Sequence, residues 1–423
     1  MLRAFVNAFK IPDLRAKILF TLLIIAVYRL GSFLPIPNIN VDELASQANA
    51  AQGGFLSFIN LFSGGALSRL AIFALGIMPY ITSSIIMQLL VVVIPKLEQW
   101  QKQGEVGQKK ITQYTRYMTV ALSLLQSTGL IFLFNNQLRG VIREFTPERV
   151  IFMVLTLTAG TAMIMWLGEL ISQRGIGNGM SLIIFTSVIA ELPSQGYSVF
   201  RQGGGIQFGI IVALGILIIL AVVFMEQGQR RIPVQYAKRV VGRRMTSGGS
   251  TYIPLKVNQA GVIPIIFASS VLYFPTLLGS VIQWPPFQRF LDNHLVNQAS
   301  PVYITIYGLL VVFFAYFYTA ISFNPVDTAD NIRKYGGFIP GIRPGKPTAD
   351  HLDHILSRIT LPGSLFLATI ALMPSIAFIA MGINPNIFPF GGTSVLIVVG
   401  VALETMKQIE SQLTMRHYEG FLR

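Results

Sequence analysis

Asp350-His351-Leu352-Asp353-His354 is the one run in this chain with the look of a metal site, because His351 and His354 would share a helical face at i, i+3. It lies in a charged segment, and no other histidine stands where it would add a ligand, so a metal-dependent membrane transferase would rest on these residues alone. Gly175-Ile176-Gly177-Asn178-Gly179 has the glycines of a phosphate-binding loop without the Lys-Ser/Thr that completes one, and reads as a tight turn. Cysteine is absent, which removes disulfides, thiolate metal sites and thiol nucleophiles. No nucleophile–base arrangement stands out. The expectation is a protein that is no enzyme and uses no cofactor or metal ion.

The chemistry therefore has to come from the elements. Of 423 residues, 52% are hydrophobic and 12% charged, and the mean hydropathy is +0.60, the composition of a multi-pass membrane protein. Apolar windows near 18–34, 70–94, 117–134, 150–170, 180–193, 208–226, 259–281, 302–323, 361–381 and 391–406 predict ten crossings. The first follows Arg3, Lys10, Arg15 and Lys17 like a signal peptide, but Ala48-Asn49-Ala50 lies too far beyond it to be a cleavage site, so the span is read as retained.

Basic residues set the orientation. Of 32 Lys and Arg, all but seven fall on the side of the two termini; Arg69, Arg139, Arg143, Arg149, Arg201 and Arg289 lie opposite, and Arg29 lies within the first window. Positive charge stays inside, which places both termini in the cytoplasm and the chain in the cell (inner) membrane. The net charge of +14 is thus concentrated on one face, and anionic headgroups account for part of it. The segment 227–257, with Arg230, Arg231, Lys238, Arg239, Arg243 and Arg244, is denser than orientation requires. It and 324–359 are long for a protein of short turns, and are expected to protrude toward a polyanionic or acidic partner such as ribosomal RNA.

One stretch organises the rest. Phe55 to Phe62, with Phe58, Ile59 and Leu61 between them, forms an apolar piece that at ~1.5 Å per residue cannot span a ~30 Å hydrocarbon core. Gly64 and Gly65 then allow a reversal, and a helix is expected from Leu70 to Ile94, kinked at Pro79. The short piece either stoppers a protein-lined cavity or packs as a re-entrant or interfacial helix.

Gly76-Ile77-Met78-Pro79 with Ser83-Ser84 in span 2 parallels Gly261-Val262-Ile263-Pro264 with Ser269-Ser270 in span 7. Spans 5 and 10 both open on glycine-rich turns and are short. Pairs five spans apart run in opposite directions, the mark of an inverted repeat, with halves 1–193 and 208–423 joined by a hinge loop at 194–207. Spans 2, 5, 7 and 10 would line the cavity between them. These carry no ionisable residue near midplane, Glu191 and Glu404 lying toward span ends; they offer Ile77, Ile81, Ile184, Ile266 and Ile397 instead. Such a constriction passes nothing when dewetted and shows no chemical preference around a guest, although each isoleucine alone also suits helix packing. Thr82, Gln88 and Asn258 are polar positions in spans 2 and 7 that could bridge the two helices or serve as plain interhelical glue.

The chain resembles the SecY family of protein-translocase subunits. The matching stretches are GSFLPIPNI (31–39), NLFSGGALSR (60–69), IFALGIMPYI (72–81), QYTRY (113–117), RGIGNG (174–179), RRIPVQYAKR (230–239), VNQAGVIPIIFASS (257–270), NPVDTADN (324–331), GFIPGIRPG (337–345) and GGTSVLIVV (391–399). They run in order through nearly the whole chain.

The resemblance implies an all-α fold of ten transmembrane helices, two pseudo-symmetric inverted halves of five around a central hourglass pore. It implies a plug at about 55–65 and a pore ring of Ile77, Ile81, Ile184, Ile266 and Ile397, which Met180 joins from one turn away. A lateral gate would hold Thr82, Gln88, Asn258 and Ser269, and Arg343 would match a functionally sensitive docking arginine. The implied partners are SecE and SecG subunits, a SecA motor or a ribosome at the cytoplasmic face, signal sequences and secretory polypeptides, and membrane lipid. The short tail ending at Arg423 departs from the family's pattern. The rival reading is a secondary transporter of a small solute, since five-plus-five inverted repeats serve those too.

Overall fold

The computed structural model describes residues 9–40, 43–44, 60, 62–137, 140–236, 239–241, 244–246, 250–281, 284–382 and 392–419. Its helices are α1 (Pro12–Gly31), α2 (Met78–Val93), α3 (Pro95–Lys102), α4 (Glu105–Gln137), α5 (Pro147–Arg174), α6 (Gly179–Gln227), α7 (Ile263–Val281), α8 (Pro285–Leu291), α9 (Pro301–Ser322), α10 (Pro325–Lys334), α11 (Lys346–Ala380) and α12 (Gly392–Glu419). All ten apolar windows fall on these helices. Among the described residues, five helical stretches are long and apolar enough to cross a membrane, or six if α2 and α3 are one broken span. The shortfall from ten has a local cause, since windows such as 70–94 and 259–281 open in turns and leave shorter helices.

Residues 72–77 are turns, with Gly76 at φ 55°, and α2 begins only at Met78. Pro79 is therefore a helix-starting proline, not an internal kink, because its missing N–H is unneeded in the first turn. The 16 residues of α2 reach about 24 Å. Ile94 is extended, as a residue before proline prefers, and the chain turns by 100° into α3.

The glycine-rich turn after α5 behaves as read. Asn178 caps α6 by accepting from the Met180 and Ser181 amides at 3.1 and 3.4 Å, and Gly177 takes φ 85°. Span 5 is longer than expected: helix continues to residue 203, through Pro193 and the segment expected as a hinge loop, and only Gly204 leaves helical geometry, at φ 72° and ψ 178°. Close backbone approach sets this corner. A Cβ on Gly179 would stand 1.9 Å from the Gly168 carbonyl oxygen on α5. Gly179→Ala is expected to cost about 1–3 kcal/mol through overpacking, read as a lower thermal midpoint for loss of monodisperse protein. Gly209→Ala, with open space at its Cβ, should leave that midpoint unchanged.

The fold is mostly helical rather than all-α. Segment 227–257 forms β1 (Gln229–Tyr236), β2 (Arg239–Val241), β3 (Arg244–Thr246) and β4 (Ser250–Lys256), and β5 (Gly337–Phe338) comes from the second long segment. The sheet order is β4-β1-β5, antiparallel, with Ile232 opposite Ile253, while β2 pairs with β3. Alternation buries Ile232 and Val234, which with Leu255, Ile332, Ile339, Leu352, Ile355 and Leu356 make a separate small core. The two segments thus fold as one unit outside the long apolar helices, with a hydrophobic reason to stay together.

Candidate functional site

Ile77, Ile81, Met180, Ile184, Ile266 and Ile397 all lie in the same buried hydrophobic cluster, and none is more than 9% exposed. They come from four places in the chain: the start of α2, the start of α6, the start of α7 and the start of α12. Met180 also packs its sulfur over Gly168 of α5, which lacks a side chain to keep it away. Phe62 is fully buried in the same cluster.

Of the expected stopper, Phe55, Phe58, Ile59 and Leu61 lie outside the described residues. Phe62 and Ser63 are helical, and Gly64 and Gly65 turn at φ 62° and 84°, conformations that favour glycine. A Cβ on Gly76 would stand 2.7 Å from the Phe62 carbonyl oxygen, so the stem of this segment lies directly on the entry to α2.

The polar positions of spans 2 and 7 do not bridge the two helices as the sequence suggested they could. Thr82 donates to the Met78 carbonyl of its own helix at 2.9 Å. Asn258 donates to Glu226 at the end of α6 and to the Gly261 carbonyl at 3.0 Å. Ser269 donates to Ile265 at 2.9 Å and meets the Tyr307 hydroxyl at 3.3 Å, which in turn lies 2.8 Å from Thr393, tying α7 to α9 and α12. Gln88 is half-buried on α2. Hydroxyls inside a helix satisfy themselves on the carbonyl one turn back, and this local option won. What remains between α7 and its neighbours α2 and α4 is apolar packing.

The SecY family model matches residues 71–406. The chain is 55% identical over 441 residues, covering all of both chains, to the protein translocase subunit SecY of Streptomyces scabiei. The chain belongs to the SecY family. Two solved structures share its fold at low identity. One is described as the SecY plug domain stabilising the closed state of the translocation channel and maintaining a membrane seal (TM-score 0.64, 18% identity, 94% of this chain and 92% of that one). The other is described as Sec61 in the canine ribosome–channel complex from the endoplasmic reticulum (TM-score 0.59, 17% identity, the same coverage). As a SecY family member with several apolar spans, the protein is a multi-pass membrane protein.

The unit that 227–257 and 324–359 build in this SecY family member carries exposed basic residues. Arg230 and Arg231 are exposed on β1, and Arg231 lies 4.8 Å from the Tyr252 ring on β4. Arg239 and Arg244 fall on the β2–β3 pair, while Lys238 and Arg243 lie outside the described residues. Arg343 is exposed on the turn before α11, and that turn is stapled. The Ile342 amide bonds Ile339 at 3.0 Å, Thr348 donates to the Arg343 carbonyl at 2.9 Å, and Gly341 and Gly345 take φ 85° and 101°. Asp350, Asp353 and His354 are exposed and His351 half-buried on the first turns of α11. Among the described residues no three His, Asp or Glu side chains group to hold a metal ion.

Sequence reasoning missed three features. Arg116 on α4 grips Glu169 on α5 through two hydrogen bonds of 2.7 Å, a fork-to-fork pair visible in sequence only as two unmatched charges. On α3, Lys102 donates to the Glu98 carboxylate at 2.7 Å, which pushes the pKa of its ammonium up from the ordinary lysine value. The third is a polar set around Ser63–Gly65, whose one sequence signal was Arg29 inside an apolar window.

Proposed function

We propose that this chain is the channel subunit through which unfolded secretory polypeptides cross the cell membrane, and from which apolar segments leave sideways into lipid between α2 and α7. Ten crossings would arrange as inverted halves, 1–193 and 208–423, with both termini cytoplasmic and the flexible point of the link at Gly204, where helical geometry breaks. The observation that carries the reading is that four chain segments far apart in sequence bury Ile77, Ile81, Met180, Ile184, Ile266 and Ile397 in one hydrophobic cluster, which we read as an apolar waist. A gasket of this kind yields to any guest without selecting its chemistry.

Partners follow from the same reading. SecE and SecG subunits accompany the channel, and a SecA motor or a translating ribosome docks on the basic unit built from 227–257 and 324–359. The full-length relative named as a protein translocase subunit and the ribosome-bound channel support these assignments. A signal sequence opens the seam by binding the open state better than the closed one, as an apolar helix between α2 and α7 can. The small-solute transporter would require an ion or solute site at midplane, and no finding favours it.

The deciding experiment places photo-crosslinking residues at Ile77 and Ile266 and stalls a secretory chain part-way through export. Both probes are expected to capture the stalled chain, and a probe at lipid-exposed Leu309 to capture far less. Equal labelling at all three positions would sink the central path.

A further inference from the structure

Arg29 has no task in the channel reading, yet a charge within an apolar span calls for a partner and marks a functional position. Its partner is the chain's own backbone. Arg29 Nη1 donates to the Gly64 carbonyl at 2.8 Å. The neighbouring Tyr28 hydroxyl, fully buried, lies 2.6 Å from Ser187 Oγ on α6 and 3.3 Å from the Ser63 carbonyl.

The opposite side is closed by α6. A Cβ on Gly64 would stand 2.9 Å from Arg29 Nη1 and 3.1 Å from Ser187 Cα, and one on Gly65 would stand 2.3 Å from Glu191 Oε1. Glycine at both positions therefore serves close approach as well as positive φ. Glu191 is held by Ser194 at 3.3 Å and faces Arg69 and Arg29. Both arginines also sit over the Phe33 ring, at 4.2 and 5.3 Å, which fixes their heads beside the turn.

We propose that Tyr28 and Arg29 of α1, with Ser187 and Glu191 of α6, form a latch on Ser63–Gly65 that fixes the stem of the stopper while the channel rests. The inference rests on reading 55–65 as that stopper. Each of the bonds that Arg29 and Tyr28 make to the stem ends on a backbone carbonyl. Water entering the outer vestibule can replace such bonds one at a time, so the latch is strong when dry and releasable when wet.

The test uses the chain in complex with its partner subunits in planar bilayers. Arg29→Met and Tyr28→Phe are each expected to raise resting conductance, Arg29→Met by roughly tenfold, the population shift that one charge-assisted hydrogen bond carries. If deleting 55–65 raises the leak but neither substitution does, the latch is overturned and the stopper stands. If the deletion leaves the bilayer tight, the stopper itself falls.

A second measurement does not depend on the fold surviving loss of Arg29. Ser187→Ala removes only the hydroxyl that the Tyr28 hydroxyl meets at 2.6 Å, and Gly64→Ala sets a Cβ 2.9 Å from Arg29 Nη1 at a positive φ. Both are expected to raise resting conductance, Gly64→Ala the more, while Gly209→Ala, with open space at its Cβ, leaves it at the parental level. Parental conductance in both Ser187→Ala and Gly64→Ala overturns the latch.

Discussion

Deleting residues 55–65 will make the resting channel leak. The deletion removes Phe62, a fully buried ring in the cluster that holds all six waist residues, together with the glycine turn that seats it on α2. An apolar constriction blocks ions by staying dry, and the blockage is steep: a modest gain in width or polarity wets it. Steady conductance in planar bilayers is expected to rise by on the order of tenfold or more in the deletion, because it opens the waist to water on one side. Replacing Ile77, Ile81, Ile184, Ile266 and Ile397 together by glycine attacks the same seal from the ring itself and should leak further. That variant carries a separate cost, since each lost core side chain destabilises by about 2–5 kcal/mol and glycine loosens the helix ends. The deletion is the cleaner measurement for that reason. A deletion channel as tight as the parent would remove both the stopper and the gasket.

How much of this was visible in the residues differs from element to element. The apolar windows were legible because hydropathy and helical geometry are local, and each falls on a helix. Their ends were less so. Leu70 to Ile94 reads as one helix, but Gly76 at φ 55° and the first-turn preference of Pro79 move its start to Met78. The hairpin in 227–257 was hidden by its basic residues, whose charge masks the alternation of Ile232 and Val234 that builds a sheet. The six residues expected to ring a pore are all buried in one hydrophobic cluster, and the signal that grouped them was apolar bulk at the starts of four helices. Which of them touch is decided by tertiary packing, which no local pattern encodes.

The polar contacts were the least legible. Thr82 and Ser269 could each have bonded across the seam, and nothing in sequence says that a hydroxyl will choose its own helix carbonyl. Arg29 gave a clear signal and no address. Finding Gly64 as its acceptor requires knowing that α1 and α6 flank a glycine turn.

Arg343→Glu is expected to stop export while leaving the fold intact. The guanidinium stands exposed on a turn whose backbone is held by Ile339, Thr348 and two glycines at positive φ, so the side chain is presented by a rigid support. No hydrogen bond or ion pair of that guanidinium to another described residue is present, and its charge remains available to a partner. Changing such a surface residue usually moves stability by no more than about 0.5 kcal/mol, so insertion and thermal midpoint should match the parent. At a docking interface the same change replaces attraction by repulsion, and truncating or reversing a buried interfacial charge costs about 2–5 kcal/mol of affinity. That range corresponds to a loss of partner binding on the order of 30-fold or more. Translocation of a secretory precursor into proteoliposomes should fall accordingly, and Arg343→Lys should retain part of it, keeping the charge and losing the planar fork. A Glu variant that exports at the parental rate would take Arg343 out of the docking surface and leave the basic residues of the neighbouring hairpin to carry it.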